Sequence, residues 1–150
     1  MDIVDKKTRS RMMSGIRSKN TKPELLVRRL LHKRGFRYRL HDSRLPGKPD
    51  LVFPKYGAVI FIHGCFWHGH QCRFFRLPGT RTDFWKNKIS GNRKRDRKTR
   101  NMLSGLDWRI AIVWECALRG SGADPQDVID RLAEWLTNHS TDATFLEIRG

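Results

Sequence analysis

Apolar residues recur along this chain at two spacings, and the alternation between them lays out the expected elements. From Thr21 the spacing is helical: Leu26 and Leu30, then Val27 and Leu31, fall four apart on adjoining stripes. Thr21 is placed to cap that helix, Pro23 suits its first turn, Glu24 stands where a capping box wants a carboxylate, and Gly35 ends it. Phe36 to Leu40 alternates in the manner of a half-buried strand. A turn through Pro46-Gly47-Lys48-Pro49 follows, and Asp50-Leu51-Val52-Phe53 starts a second strand. Ala58 to Ile62 is apolar, rich in β-branched residues and short enough for a buried strand. Lys55-Tyr56-Gly57 leaves room for only a tight reversal, so the two strands pair as a hairpin. That hairpin is expected to bring Asp50 beside His63.

Helical spacing returns at Thr82, a candidate cap, and runs to about Leu103 with a weak point at Gly91. The inward stripe is Trp85, Ile89, Asn92, Asp96, Thr99 and Leu103, while Lys94, Arg95, Arg97, Lys98 and Arg100 fall mostly off it. Asp96 shares a face with Trp85 and Ile89, and a carboxylate there needs a partner. One of the many arginines would make it structural; a histidine such as His68 would make it functional. Trp108 to Trp114 reads as another buried strand, delivering Glu115 and Cys116. Asp124 or Pro125 starts a last amphipathic helix, lined by Val128, Ile129, Leu132, Trp135 and Leu136. Residues from Asn138 onward read as a tail without function. Residues 1–20 are polar and basic, a flexible arm in which Met12 and Met13 are the apolar exceptions. The order α-β-β-β-α-β-α implies an α/β fold, one mixed sheet flanked by helices, in a single domain over 21–150.

Charge changes this picture more than length does. The 150 residues carry 31 Lys+Arg against 15 Asp+Glu, a formal +16 that points to a polyanionic partner, usually nucleic acid. A membrane surface is a poorer match, because no long basic amphipathic helix with a continuous apolar face stands out. Three cysteines cannot all pair, and nothing resembles a signal peptide or a membrane span, so a reducing, cytosolic setting is expected.

Chemistry concentrates in His63 to Cys72, HGCFWHGHQC, which follows directly on the Ala58–Ile62 run. Cys65, His70 and Cys72 form C-x4-H-x-C, and Cys116 is the remaining cysteine that could complete a tetrahedral zinc site. Ordinary buried thiols are the alternative. Zinc at those four leaves His63 and His68 for other work. Asp50, His63 and His68, with Glu24 and Asp96, would gather at one end of the sheet. A carboxylate there can hold magnesium and a histidine can move a proton, which is equipment for metal-assisted phosphodiester hydrolysis.

These residues carry a family resemblance. TRSRMM in the arm, LPGKPDLVF, VIFIHGCFWHGHQC, TRTDFW, Asn92-x3-Asp96 and WECALRG are together similar to the very-short-patch repair (Vsr) DNA mismatch endonucleases, a branch of the PD-(D/E)xK restriction-endonuclease-like fold. The resemblance implies nicking of the strand 5′ to the thymine of a T:G mismatch, the lesion left when 5-methylcytosine deaminates. It implies that Asp50 binds magnesium, that Ile62 adds its backbone carbonyl where a threonine is familiar, and that His68 is the acid/base supported by Asp96. His63 and Glu24 would act through metal-bound waters. Cys65, His70, Cys72 and Cys116 would hold structural zinc. Phe66, Trp67 and Trp85 would form an aromatic wedge beside the mismatch, with Met13 entering from the opposite groove. Mismatch-repair proteins and a companion cytosine-5 methyltransferase are the implied partners of a monomeric enzyme. Two rival readings are a zinc-stabilised DNA-binding module without catalysis and a restriction endonuclease acting on matched duplex.

Overall fold

The helical and extended rhythms of the sequence become three helices and five strands in the computed structural model, which describes residues 20–138 and 144–150. The arm expected over residues 1–20, with Met13, lies outside the described residues except for Asn20. In chain order the elements are α1 (Lys22–Lys33), β1 (Arg39–Leu40), β2 (Leu51–Phe53), β3 (Ala58–His63), α2 (Thr82–Gly105), β4 (Arg109–Trp114), α3 (Pro125–Thr137) and β5 (Phe145–Ile148). The strands form one open mixed sheet in the order β1-β2-β3-β4-β5. Pairing is antiparallel from β1 to β3 and parallel from β3 to β5.

Side-chain alternation divides the sheet into two faces. Leu51, Phe53, Ala58, Ile60, Ala111, Val113 and Ile148 pack on one face under α1, through Val27 and Leu31, and α3, through Ile129, Leu132 and Leu136. Val52, Val59 and Ile110 point the other way and meet Leu103 of α2. Strands covered on both sides must be apolar on both, which is why β2, β3 and β4 read as near-continuous hydrophobic runs.

The hairpin between β2 and β3 forms as expected, with Leu51 opposite Ile60 and Gly57 reversing the chain at φ +59°. Four other features differ from the sequence reading. Thr82 does not cap α2; Arg81 occupies that position, and the Thr82 hydroxyl donates back to the Pro78 carbonyl at 2.9 Å. The helix also runs through Gly91 unbroken, its inner stripe held at both ends by buried Ile89 and Leu103. The largest difference is at the C-terminal end. Phe145–Ile148 forms the parallel edge strand β5 on β4, with Ile110 opposite Phe145 and Ile148 only 1% exposed. Too short to announce itself, FLEI becomes a strand because β4 offers an open edge and the lower face offers Ile148 a place in the core. The first strand, expected over Phe36 to Leu40, shrinks to Arg39–Leu40; Phe36 instead enters the core beside Phe53.

Candidate active site and metal centres

The carboxyl end of β3 is where the sheet, α1 and α2 converge, and two groups of titratable residues meet there. The first is built on Asp50. Past the Leu51–Ile60 rung β2 has ended, and Asp50 Oδ2 accepts the N–H of Ile62 at 2.7 Å. The sequence placed Asp50 beside His63; the carboxylate instead docks one residue earlier on β3. An extended residue directs its N–H and C=O to the same edge, so the Ile62 carbonyl also faces the Asp50 side. Burial pushes the Asp50 carboxyl up to about 7, against the lowering effect of the Ile62 N–H and with a further rise from Glu24.

Glu24 reaches this point from the first turn of α1 and is 1% exposed. Thr21 caps the helix through the Glu24 N–H, so half of the expected capping box exists. The reciprocal half does not: Glu24 Oε1 accepts the N–H of Asn20, one residue before the cap, at 2.9 Å. Its other oxygen lies 3.2 Å from Arg28 Nη1 and 2.7 Å from His41 Nε2. Glu24, His41 and Asp50 each offer a donor atom, all within 4.8 Å of one another. Two buried carboxylates facing each other are costly unless a cation lies nearby, so this donor set fits a divalent ion. Sequence reasoning missed His41. It belongs to no motif, and only the β1–β2 ladder brings it here.

The second group is built on His63, the last residue of β3. Its ring is 6% exposed and stacks on that of His68 at 3.8 Å between centroids, with Trp114 set edge-on at 5.2 Å. Burial and the nearby His68 hold His63 down to about 3, so it is neutral at working pH. His68 stands on the turn that leaves β3, its N–H tied to the Gly64 carbonyl. Its Nδ1 lies 2.5 Å from Asp96 Oδ2 on α2. Asp96 therefore pairs with a histidine and not with an arginine. A carboxylate on Nδ1 fixes the ring and leaves Nε2 to exchange protons. Asn92, one turn away on the same stripe, donates to the Trp67 carbonyl at 2.8 Å and ties that turn to α2.

Cys65, His70, Cys72 and Cys116 meet on the far side of the turn, their donor atoms within 4.8 Å of one another. His70 Nδ1 lies 3.6 Å from Cys116 Sγ, and the His70 ring stacks on Trp114 at 4.3 Å. The backbone N–H of Phe74 points to Cys72 Sγ at 3.4 Å and that of Gly150 to Cys116 Sγ at 3.2 Å. Burial, added to by the neighbouring sulfurs, pushes the Cys65 thiol well above its usual range. Three sulfurs and one imidazole gathered this closely are a donor set that suits zinc. The Gly150 contact gives the supposed tail a second structural task.

Phe66 and Trp67 project from the same turn and meet Trp85 on α2, each with ring centroids 5.7 Å from it. All three are half-buried. Phe84 extends the cluster at 5.2 Å from Trp85 and is 42% exposed under the Arg81 guanidinium, a residue the sequence did not single out. The expected basic face of α2, Lys94, Arg95, Arg97, Lys98 and Arg100, is exposed. No helix among the described residues is long and apolar enough to cross a membrane.

Comparison with known proteins bears on all of these groups. The family model described as DNA mismatch endonuclease Vsr matches residues 1–74. The chain is 45% identical over 143 residues to the DNA mismatch endonuclease Vsr of Escherichia coli K12, spanning 95% of this chain and 92% of that protein. It is 50% identical over 122 residues to the type II nicking enzyme V.XorIIP of Xanthomonas oryzae pv. oryzae, spanning 81% and 90%. The type II nicking enzyme V.NmeAIP of Neisseria meningitidis is 49% identical over 118 residues, 79% of this chain and 84% of that one.

Proposed function

The chain belongs to the Vsr family of DNA mismatch endonucleases, and from that premise we propose how its side chains divide the work. It is a DNA endonuclease of mismatch repair, a hydrolase that nicks. The proposed substrate is duplex DNA carrying a T:G mismatch, cut 5′ to the thymine. The fold is read as restriction-endonuclease-like, with residues 1–20 as a basic DNA-binding arm whose Met13 is proposed to contact the duplex.

The observation that carries the mechanism is the His68–Asp96 pair at 2.5 Å, held on the turn that leaves the strand against which Asp50 is docked. Asp50 and the Ile62 carbonyl would hold magnesium, with Glu24 and His63 supporting its waters. Magnesium supplies charge neutralisation and polarisation of a phosphate oxygen when bound. His68 Nε2 takes a proton from the attacking water as the oxygen–phosphorus bond forms, and Asp96 stabilises the imidazolium that results. The bond from phosphorus to the ester oxygen breaks as the new one forms, and the leaving oxygen takes a proton from solvent water. His63, neutral and stacked on His68, keeps a second positive charge out of the site and packs the ring in place.

Phe66, Trp67 and Trp85 are proposed to enter the stack beside the mismatch. Unstacking costs a few kcal/mol per step, and least where pairing is already imperfect, so the wedge selects as well as holds. Cys65, His70, Cys72 and Cys116 are assigned to structural zinc, which pins the turn carrying His68 and the wedge. A monomer of the bacterial cytoplasm is the setting we infer, with mismatch-repair proteins and a cytosine-5 methyltransferase as partners.

The test compares T:G, C:G and T:A duplexes with purified protein and magnesium. Cleavage of one strand of the T:G duplex alone is expected. Cleavage of both strands of matched duplex would instead make it a restriction enzyme, and binding without cleavage a DNA-binding module.

A further inference from the structure

Glu24 and Asp50 do not face each other alone. Antiparallel pairing of β1 with β2 sets Arg39 opposite Val52 and Leu40 opposite Leu51, and the His41 N–H continues the ladder to the Asp50 carbonyl at 3.2 Å. His41 and Asp50 are thus cross-strand neighbours, a relation that keeps Cβ atoms within about 5.5 Å. At φ +46° the His41 backbone leaves the regular strand, and its ring meets Glu24 at 2.7 Å. The ring is largely enclosed, its side chain 18% exposed against 2% for Glu24. Arg28 offsets one of the two carboxylates, and among the described residues no cationic side chain pairs with Asp50.

The donor set is therefore two carboxylates and one imidazole, drawn from α1, the end of β1 and the start of β2, with donor atoms within 4.8 Å of one another. Carboxylates with water suit magnesium; an imidazole nitrogen shifts preference toward first-row transition ions. We propose that His41 is a nitrogen ligand of the divalent cation held at Asp50, so that this centre prefers Mn2+ and later first-row ions to Mg2+. The inference rests on assigning that cation to Asp50. When the ion enters, Nε2 exchanges its contact with Glu24 Oε2 for a bond to the metal.

Mn2+ is the probe, because it accepts imidazole and carboxylate and does not seek the thiolates of the zinc group. Zinc-containing full-length protein, without DNA, is titrated with Mn2+ and with Mg2+, and the Mn2+ complex is recorded by pulsed EPR. The expected signature is 14N coupling to manganese that changes to the 15N pattern when histidine alone is 15N-labelled, a readout needing no variant. His41→Asn, chosen because asparagine tolerates the left-handed backbone, should abolish that coupling. It should also weaken Mn2+ binding about 10- to 100-fold, the range for lost metal-site support, with a much smaller change for Mg2+. Absence of histidine nitrogen coupling in the wild-type complex, or its survival in His41→Asn, overturns the proposal. Asp50→Asn separates the two layers. Manganese binding that persists in Asp50→Asn removes the cation from Asp50 altogether. Binding lost there, with no nitrogen coupling in the wild type, removes only His41.

Discussion

Asp50 and His63 illustrate how burial acts in opposite senses on an acid and a base a few residues apart in space. Burial raises Asp50 from 3.8 to about 7 and lowers His63 from 6.5 to about 3. Between about pH 4 and 6.5 the folded chain keeps a proton on Asp50 that the unfolded chain has lost. Over nearly the same range the unfolded chain carries a proton on His63 that the folded chain lacks. The two contributions to stability have opposite slopes and cancel. Asp50→Asn removes the Asp50 slope, so relative to wild type its stability should fall as pH falls from about 7 toward 4, by up to ~1.4 kcal/mol per pH unit. His63→Gln removes the His63 slope, so its stability relative to wild type should fall as pH rises from about 3 toward 6.5. Urea denaturation of the three proteins in magnesium-free buffer between those limits checks both signs, since any zinc contribution is common to all. In catalysis, Asp50→Asn should abolish nicking while leaving mismatch binding nearly intact. His68→Ala should slow single-turnover nicking by roughly 10²–10⁴-fold, the usual worth of an acid/base. Nicking by Asp50→Asn near the wild-type rate would put the hydrolytic centre elsewhere.

The turn between β3 and α2 is the element on which the site depends, because it carries His68, His70, Cys65, Cys72, Phe66 and Trp67 together. It has no regular hydrogen-bond ladder of its own and is held from outside. Asp96 and Asn92 hold it from α2, Glu115 accepts the Cys65 N–H at 3.4 Å, and Cys65, His70 and Cys72 converge with Cys116 into a group that could hold a metal ion. Cys116→Ser should therefore lose zinc and fold together, read by metal analysis and far-UV circular dichroism; a well-folded, zinc-free wild-type protein would contradict this. Trp67→Ala tests the aromatic cluster at the same scale. A wedge predicts a greater loss of affinity for T:G duplex than for matched duplex in competition binding, whereas a purely packing role predicts equal losses. At the other edge of the sheet, Ile148→Ala should cost about 2–5 kcal/mol, as truncation of a fully buried aliphatic does. A dispensable tail would show almost no change in a denaturation curve.

For the molecule as a whole the excess of positive charge sets how it meets DNA. Affinity for duplex should fall steeply with salt through counterion release, by about 10³–10⁵ between 50 and 200 mM if 6–10 phosphates are neutralised. Arg97→Ala or Lys98→Ala, on the exposed face of α2, should each lower the slope of log affinity against log salt by about one, equally for matched and mismatched duplex. Those two charges lie on the helix that also carries Asp96, paired with His68, and Trp85, packed on Trp67.

What the sequence determined by itself was everything that rests on local spacing or on residue type. The α1 and α3 stripes, the apolar β3 and β4 runs, the inward position of Asp96 and the convergence of Cys65, His70, Cys72 and Cys116 all follow from period and chemistry, because burial on one face must repeat with the element's own geometry. The family resemblance was legible for the same reason, its motifs being short and contiguous. What only the tertiary structure decided were relations between segments with no periodic signature. Phe145–Ile148 became a strand because β4 left an edge open. Glu24 found the Asn20 N–H, Arg28 and His41 in place of a full capping box. His41 reached Asp50 through a two-residue ladder too short to be read from alternation. The physical reason is common to all three: their stabilising partners lie on other elements, and a residue's own neighbours in the chain carry no record of them.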